Sequence, residues 1–214
     1  MPIRTAEDLI DSIAREHAWR LKEINDLKNL SSIASISETR RNTICRAGTA
    51  LLYAHWEGFV KKVGTYFLEY VSRQRLPVEE LKSNFITLIF KNAIDVSRES
   101  RKYSVFSKTV DFLIERSSDK VFLPYKDVVD TKSNLSSKVL KEVVWCLGLD
   151  YSLFAPKEKF IDRQLVNRRN YVAHGESLLI DAEDLLDMAD EVMALMNIFR
   201  NLVENSAVEE SFKR

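Results

Sequence analysis

The segment Asn167-Arg168-Arg169-Asn170-Tyr171-Val172-Ala173-His174-Gly175-Glu176 places guanidinium groups, an amide and an imidazole within two turns of one predicted helix. Asn170 and His174 are four residues apart, so they share a helix face. Arg169 sits one step round, and its long side chain can swing toward the same spot. An imidazole moves protons near neutral pH, and a guanidinium clamps a phosphate through two parallel hydrogen bonds. Together they suit acid–base work beside a phosphate. One bland alternative competes: a helix-terminal histidine stabilised by the C-terminal end of the helix dipole, with the arginines solvated.

Basic residues crowd the same stretch. Lys157, Lys159, Arg163, Arg168 and Arg169 face only Glu158 and Asp162, a local excess of three positive charges. A phosphate backbone needs such a footprint, although long basic stems also cover apolar surface. Lys159, Arg163 and Arg168 are therefore candidate substrate-binding residues. The opposite sign follows at once, since Asp181, Glu183, Asp184, Asp187, Asp190 and Glu191 come without a single base among them. Asp184, Asp187 and Glu191 fall on one helix face with no histidine, and acids favour the first turns of a helix. A solvated face explains them better than a metal site, and no metal or cofactor is expected.

The other two histidines carry less. His17 has no second ligand nearby and reads as a surface residue, while His55, ahead of Trp56 and Glu57, reads as packed or hydrogen-bonded. There is no G-x-S-x-G elbow, no H-E-x-x-H and no glycine-rich phosphate loop. Cys45 and Cys146 form no C-x-x-C pair, so neither a zinc knuckle nor a disulfide framework is indicated and a reducing cytoplasm fits.

The elements that must position the motif read as helices. Thr5 and Asp8 resemble a capping box opening a helix with the stripe Leu9, Ile13, Leu21, Ile24 and Leu27. Ser31 to Ser37 is a break. Ser37 and Arg40 then open a long helix to about Arg75, in which Leu52, Trp56, Phe59, Val63 and Phe67 recur at helical spacing. Pro77 suits the first turn of a helix over about 78–92. Residues 94–138 read as an irregular insertion with short helices, one of them over 107–116. Ser136 or Ser137 caps a helix over 139–147 closed by Gly148. A helix over 157–173 carries the motif and stops at Gly175, and the last helix runs from Asp181 to about Asn205.

Composition agrees. Five glycines and four prolines are too few for the frequent turns of a sandwich or barrel. Uncharged stretches are all shorter than the roughly 18 residues a membrane span needs, and the charged first residues argue against a signal peptide. With 32 basic and 32 acidic residues the formal net charge is zero, which excludes a uniformly basic nucleic-acid binder but not a local basic cleft. The expected architecture is all-α: one domain over 1–214, a bundle of four to five main helices plus the insertion.

The run from Arg169 to His174 resembles the motif of an arginine, a polar residue and a histidine that marks the HEPN superfamily of small helical proteins, many of them RNases. Its place on the helix before a final long helix also agrees. Arg46 to Lys61 is similar to the long N-terminal helix of the RiboL-PSP branch of HEPN nucleases. The likeness covers roughly residues 1–70 and 155–214, while the middle matches no family pattern. It implies a metal-independent endoribonuclease, usually a homodimer whose two motifs face each other across a shared cleft. His174 would then act on the RNA 2′-hydroxyl or the leaving oxygen, Arg169 would stabilise the phosphoryl oxygens, and Asn170 would orient either partner. A 2′,3′-cyclic phosphate would be left. Glu57 is then a candidate partner behind Arg169, with an ordinary surface carboxylate as the alternative. The family's usual setting implies a toxin or antiviral defence effector with an inhibitory partner protein. A non-catalytic bundle that dimerises or binds a nucleotide or partner is the second reading.

Overall fold

The computed structural model describes residues 2–100, 102–115, 118–120 and 122–214. Seven α-helices appear among them: α1 (Ala6–Ser31), α2 (Glu38–Arg73), α3 (Ser83–Ser100), α4 (Tyr103–Glu115), α5 (Ser137–Cys146), α6 (Arg168–Ala173) and α7 (Ala182–Val208). No strand forms among the described residues, only the isolated bridges of Pro77 with Lys120 and Leu81 with Lys213. The fold is the expected all-α bundle.

Helices α1, α2 and α7 pack on one another and form the centre of the molecule, with α6 laid against α2. The local signals for α1 are met in full. The Thr5 hydroxyl accepts from Asp8 N at 3.0 Å while the Asp8 carboxylate accepts from Thr5 N at 3.1 Å. This reciprocal box satisfies amides that the helix leaves unpaired. In the core, Trp56 and Phe59 of α2 meet Phe199 of α7 edge-on, at 6.3 and 6.5 Å between ring centres. Such offset geometry is favoured over face-to-face stacking. Helix α2 passes close to both neighbours at Gly48, where a Cβ would come within 2.9 Å of Leu27 and 3.1 Å of Leu185. Any larger residue there must displace the ends of the Leu27 and Leu185 side chains.

His17 corrects the surface expectation. It is buried, at 6% exposure, because the α1 stripe of Leu9, Ile13, Ile24 and Leu27 continues through His17 and Arg20. Its Nδ1 lies 3.4 Å from the Arg200 guanidinium, and its ring is 5.7 Å from Phe59. Burial, with Arg200 beside it, pushes its pKa below the ordinary imidazole value. His55 is packed as expected, edge-on to Trp19, with Nε2 3.0 Å from Glu23 Oε2.

Two helices differ from expectation. Pro77 opens only a 3₁₀ turn over Val78–Glu80, since Leu81 returns to extended backbone and α3 begins at Ser83. Val78 N is drawn instead to Asp119 O at 3.2 Å. In the stretch read as irregular, α3 runs on to Ser100 and α4 begins at Tyr103, four residues before the helix expected there. The Arg116 end of that expected helix lies outside the described residues. Gly148 closes α5 with φ of 67°, and Asn84 beneath it donates to Cys146 O at 2.9 Å, tying α5 to the start of α3.

Candidate active site

The motif helix is not uniform. A 3₁₀ turn over Ala155–Lys157 leads through two α-helical residues, Glu158 and Lys159, into a π-helix over Phe160–Asn167, and α6 follows from Arg168. π-Helical turns are rare and recur at functional sites. The segment is pinned on both sides. In its first turn the Asp162 carboxylate accepts from Ser137 N at 2.8 Å and Ser137 Oγ at 2.6 Å, so it caps α5, and just ahead of it Lys157 pairs with Glu191 at 2.7 Å. Downstream, successive arginines address different helices. The Arg168 guanidinium turns to α7, 3.4 Å from Asp184 Oδ1 and 3.5 Å from Met188 Sδ.

Arg169 turns to α2. Its guanidinium carbon lies 3.9 Å from the centre of the Tyr53 ring, a cation–π stack. Nη2 donates to Ser133 O at 2.9 Å and Asn134 Oδ1 at 3.3 Å. No described carboxylate forms an ion pair with it, and its buried Nε has no hydrogen-bond partner. The turn beneath is unusual: Lys132 and Ser133 are consecutive non-glycine residues in the left-handed region, with φ of 56° and 51°. Each such residue costs about 1–3 kcal/mol and persists only where its surroundings hold it. Here Asp130 Oδ1 accepts from Lys132 N at 2.8 Å, Thr131 O from Asn134 N at 3.0 Å, and the Tyr53 hydroxyl from Leu135 N at 2.7 Å.

Tyr53 therefore carries both the arginine and the turn. Burial pushes its hydroxyl up to about 12, with the Glu57 carboxylate one turn along α2 adding to the rise and Arg169 and Leu135 N opposing it. The phenol keeps its proton at any physiological pH. Glu57 forms no ion pair with Arg169 among the described residues, so the direct partnership expected for it is replaced by a shared neighbour, Tyr53. One oxygen of Glu57, Oε1, is buried with no hydrogen-bond partner.

His174 is exposed and caps the end of α6, with its N–H donating to Asn170 O at 2.9 Å. Gly175, at φ of 73°, donates to Val172 O, and Glu176 N reaches back to Tyr171 O. This pair of bonds is a Schellman ending, which satisfies the last carbonyls and favours glycine at the left-handed position. Asn170 is half-buried. No described hydrogen bond joins the side chains of Asn170, Arg169 and His174. The expected swing of Arg169 toward the Asn170–His174 face does not occur, because Tyr53 and the 133–134 turn hold its guanidinium.

The basic footprint is also smaller than its sequence. Lys157 and Arg168 pair with Glu191 and Asp184, and Asp190 pairs with Lys28 of α1 at 2.5 Å. The acidic face of α7 is thus bound in part by its basic neighbours rather than simply solvated. Phe160, Gln164, Arg168, Asp187 and Met188 line a cavity of about 410 Å³ between the π-helix and α7. Lys159 and Arg163 are exposed and outside any described ion pair. Among the described residues no three His, Cys, Asp or Glu side chains gather in a metal-binding group. No described helix is long and apolar enough to cross a membrane. Sequence reading missed Tyr53 and the 130–135 turn; the available signal was Tyr53 and Glu57 four apart on the helix face that α6 covers.

No curated protein and no solved structure matches the chain. The model of the MAE_28990-like HEPN family matches residues 9–212. That span contains α2, the π-helix, the Arg169-to-His174 run and the long helix that follows it. The chain belongs to this HEPN family.

Proposed function

We propose that the protein is an endoribonuclease that cuts RNA without a metal ion. The observation that carries this reading is the occurrence, five residues apart, of an exposed imidazole at a helix end and a guanidinium that forms no ion pair among the described residues. In the reaction the RNA 2′-oxygen bonds to phosphorus as its proton leaves. The bond from phosphorus to the 5′-oxygen breaks, and that oxygen takes up a proton. The products are a 2′,3′-cyclic phosphate and a 5′-hydroxyl. His174 performs one proton transfer, Arg169 stabilises charge on the phosphoryl oxygens, and Asn170 orients the imidazole or the phosphate.

Two transfers and one suitable imidazole per chain support a homodimer with a composite site, in which each copy supplies a histidine. Lys159 and Arg163 extend the phosphate path, with Arg168 contributing where it parts from Asp184. The likeness of Arg46 to Lys61 to the RiboL-PSP branch, and the company such proteins keep, support a cytoplasmic toxin or defence effector acting with an inhibitory partner, as a single domain. One observation favours the second reading, a non-catalytic binding module: among the described residues no hydrogen bond joins Arg169 to His174, and the Arg169 guanidinium is held on Tyr53 and the 133–134 turn.

The test is cleavage of end-labelled RNA in EDTA by the wild type and His174→Ala, with sedimentation to establish the oligomer. The variant is expected to lose at least about 100-fold in rate, the usual weight of a general acid or base. Its far-UV circular dichroism should be unchanged. Cleavage that survives His174→Ala refutes the assignment, and a strict monomer that still cuts refutes the composite site.

A further inference from the structure

Tyr53 is 3% exposed on the central helix and lies far in sequence from the Arg169-to-His174 run, yet it is one of the groups that fix Arg169 and touches the turn that supplies the others. Its ring lies 3.9 Å under the guanidinium. Its hydroxyl accepts from Leu135 N at 2.7 Å, at the end of the turn whose Ser133 carbonyl takes the Arg169 Nη2 proton at 2.9 Å. That turn contains two strained left-handed residues, so it needs an external anchor, and the Tyr53 hydroxyl is one. We infer that Tyr53 is the positioning residue for Arg169, presenting its guanidinium to a phosphate of the bound RNA by stacking under it and by holding the turn that grips it. The inference rests on the reading of Arg169 as the phosphate-binding arginine.

The geometry separates two contributions. Stacking needs only the ring, whereas gripping the turn needs the hydroxyl. Tyr53→Phe keeps the first and removes the second, leaving Leu135 N without its acceptor. Tyr53→Leu removes both. A residue that merely fills the core would act on the fold independently of Arg169. A residue that acts through Arg169 has nothing left to act on once the guanidinium is gone.

The experiment measures binding of a short 2′-O-methyl RNA, which lacks the attacking hydroxyl and cannot be cut, in EDTA at fixed salt. The proteins are the wild type, Tyr53→Phe, Tyr53→Leu, Arg169→Ala and the two double variants, with cleavage of ordinary RNA followed in parallel. Tyr53→Leu should bind about tenfold more weakly, in the range of a desolvated cation–π contact, and Tyr53→Phe about threefold, in the range of one lost hydrogen bond. Neither should weaken binding further in the Arg169→Ala background. Tyr53 losses that add fully to that of Arg169→Ala overturn the inference, as does wild-type binding by Tyr53→Phe together with Tyr53→Leu. Should Tyr53→Leu fail to fold, Tyr53→Phe decides alone. Coupled binding losses with no cleavage by any protein sink the nuclease reading and keep the positioning role. Wild-type RNA binding that Arg169→Ala leaves unchanged sinks both.

Discussion

Arg20 and Arg169 both lie over aromatic rings against α2, and their surroundings part company after that. Arg20, 6% exposed, sits 4.2 Å from the centre of the Trp19 ring. It pairs with Glu16, donates to Glu16 O at 3.0 Å and reaches His55 O at 3.3 Å. Glu16 is in turn held by Tyr66 and Trp19, so the group is closed electrically. Arg169 has the ring and two neutral oxygens but no carboxylate, and one buried N–H goes unused. Closing a charge with a carboxylate makes a fastener. Leaving it open on a stacked platform keeps it available to an anion, at the cost of a strained turn.

Removing each arginine breaks this comparison in a different currency. Arg169→Ala should cost the most, about 100- to 1,000-fold in RNA cleavage, the usual loss on deleting a positioned donor to transition-state charge. Its urea midpoint should move little. Arg20→Leu should do the reverse. Breaking a buried ion pair costs about 3–5 kcal/mol, and the partial exposure of Glu16 trims this to roughly 2–3 kcal/mol, readable as a fall in the urea midpoint. Cleavage per folded molecule should persist. An Arg169 variant that unfolds, or an Arg20 variant that folds normally but cannot cut, would reverse the roles of the two platforms.

A smaller effect sharpens the same contrast. Burial holds His55, beside Arg20, below the ordinary imidazole value even though Glu23 pulls the other way, and it holds His17 down likewise. The unfolded chain takes up these protons near the ordinary value of about 6.5, and the folded chain only at lower pH. Their contribution to stability is therefore complete above about pH 6.5 and is lost as pH falls through the folded values. Thermal melts between pH 7 and pH 5 should show Tm declining, and less steeply in His17→Asn. An equal slope in that variant would show that His17 takes no part. The smallest effect belongs to the outer ion pairs. Lys157→Met, facing Glu191 in a half-exposed pair, should shift stability by no more than about 0.5 kcal/mol.

What was legible in the chain was local. Thr5 with Asp8 and Ser37 with Arg40 announce helix starts because each cap is built within four residues. The order of helices and the motif near the chain's end follow from the same short-range periodicity. His17 was misread because a polar residue within an apolar stripe reads as exposed, while helical spacing had already placed it inside. Pro77 misled because a proline that suits a helix start suits a 3₁₀ turn equally, and Asp119, distant in sequence, decided between them. The site was half legible. His174 and Gly175 end a helix as their types require. The platform under Arg169 joins α2 to the 133–135 turn, and no spacing rule links residues so far apart.

The π-helix has a mechanical consequence. At its start, Asp162 grips α5 and the preceding Lys157 grips α7; past its end, Arg168 reaches α7 and Arg169 reaches α2. A helix turns about 100° for each residue. Were 160–167 to tighten to α geometry with every residue kept, the extra residue that the wider π turns absorb would rotate one set of anchors against the other by nearly a third of a turn. Both sets could not then be kept. The aim of the two arginines is thus a matter of phase, stored in how the residues between the anchors are wound, and it could be lost without altering any of the side chains that make the site.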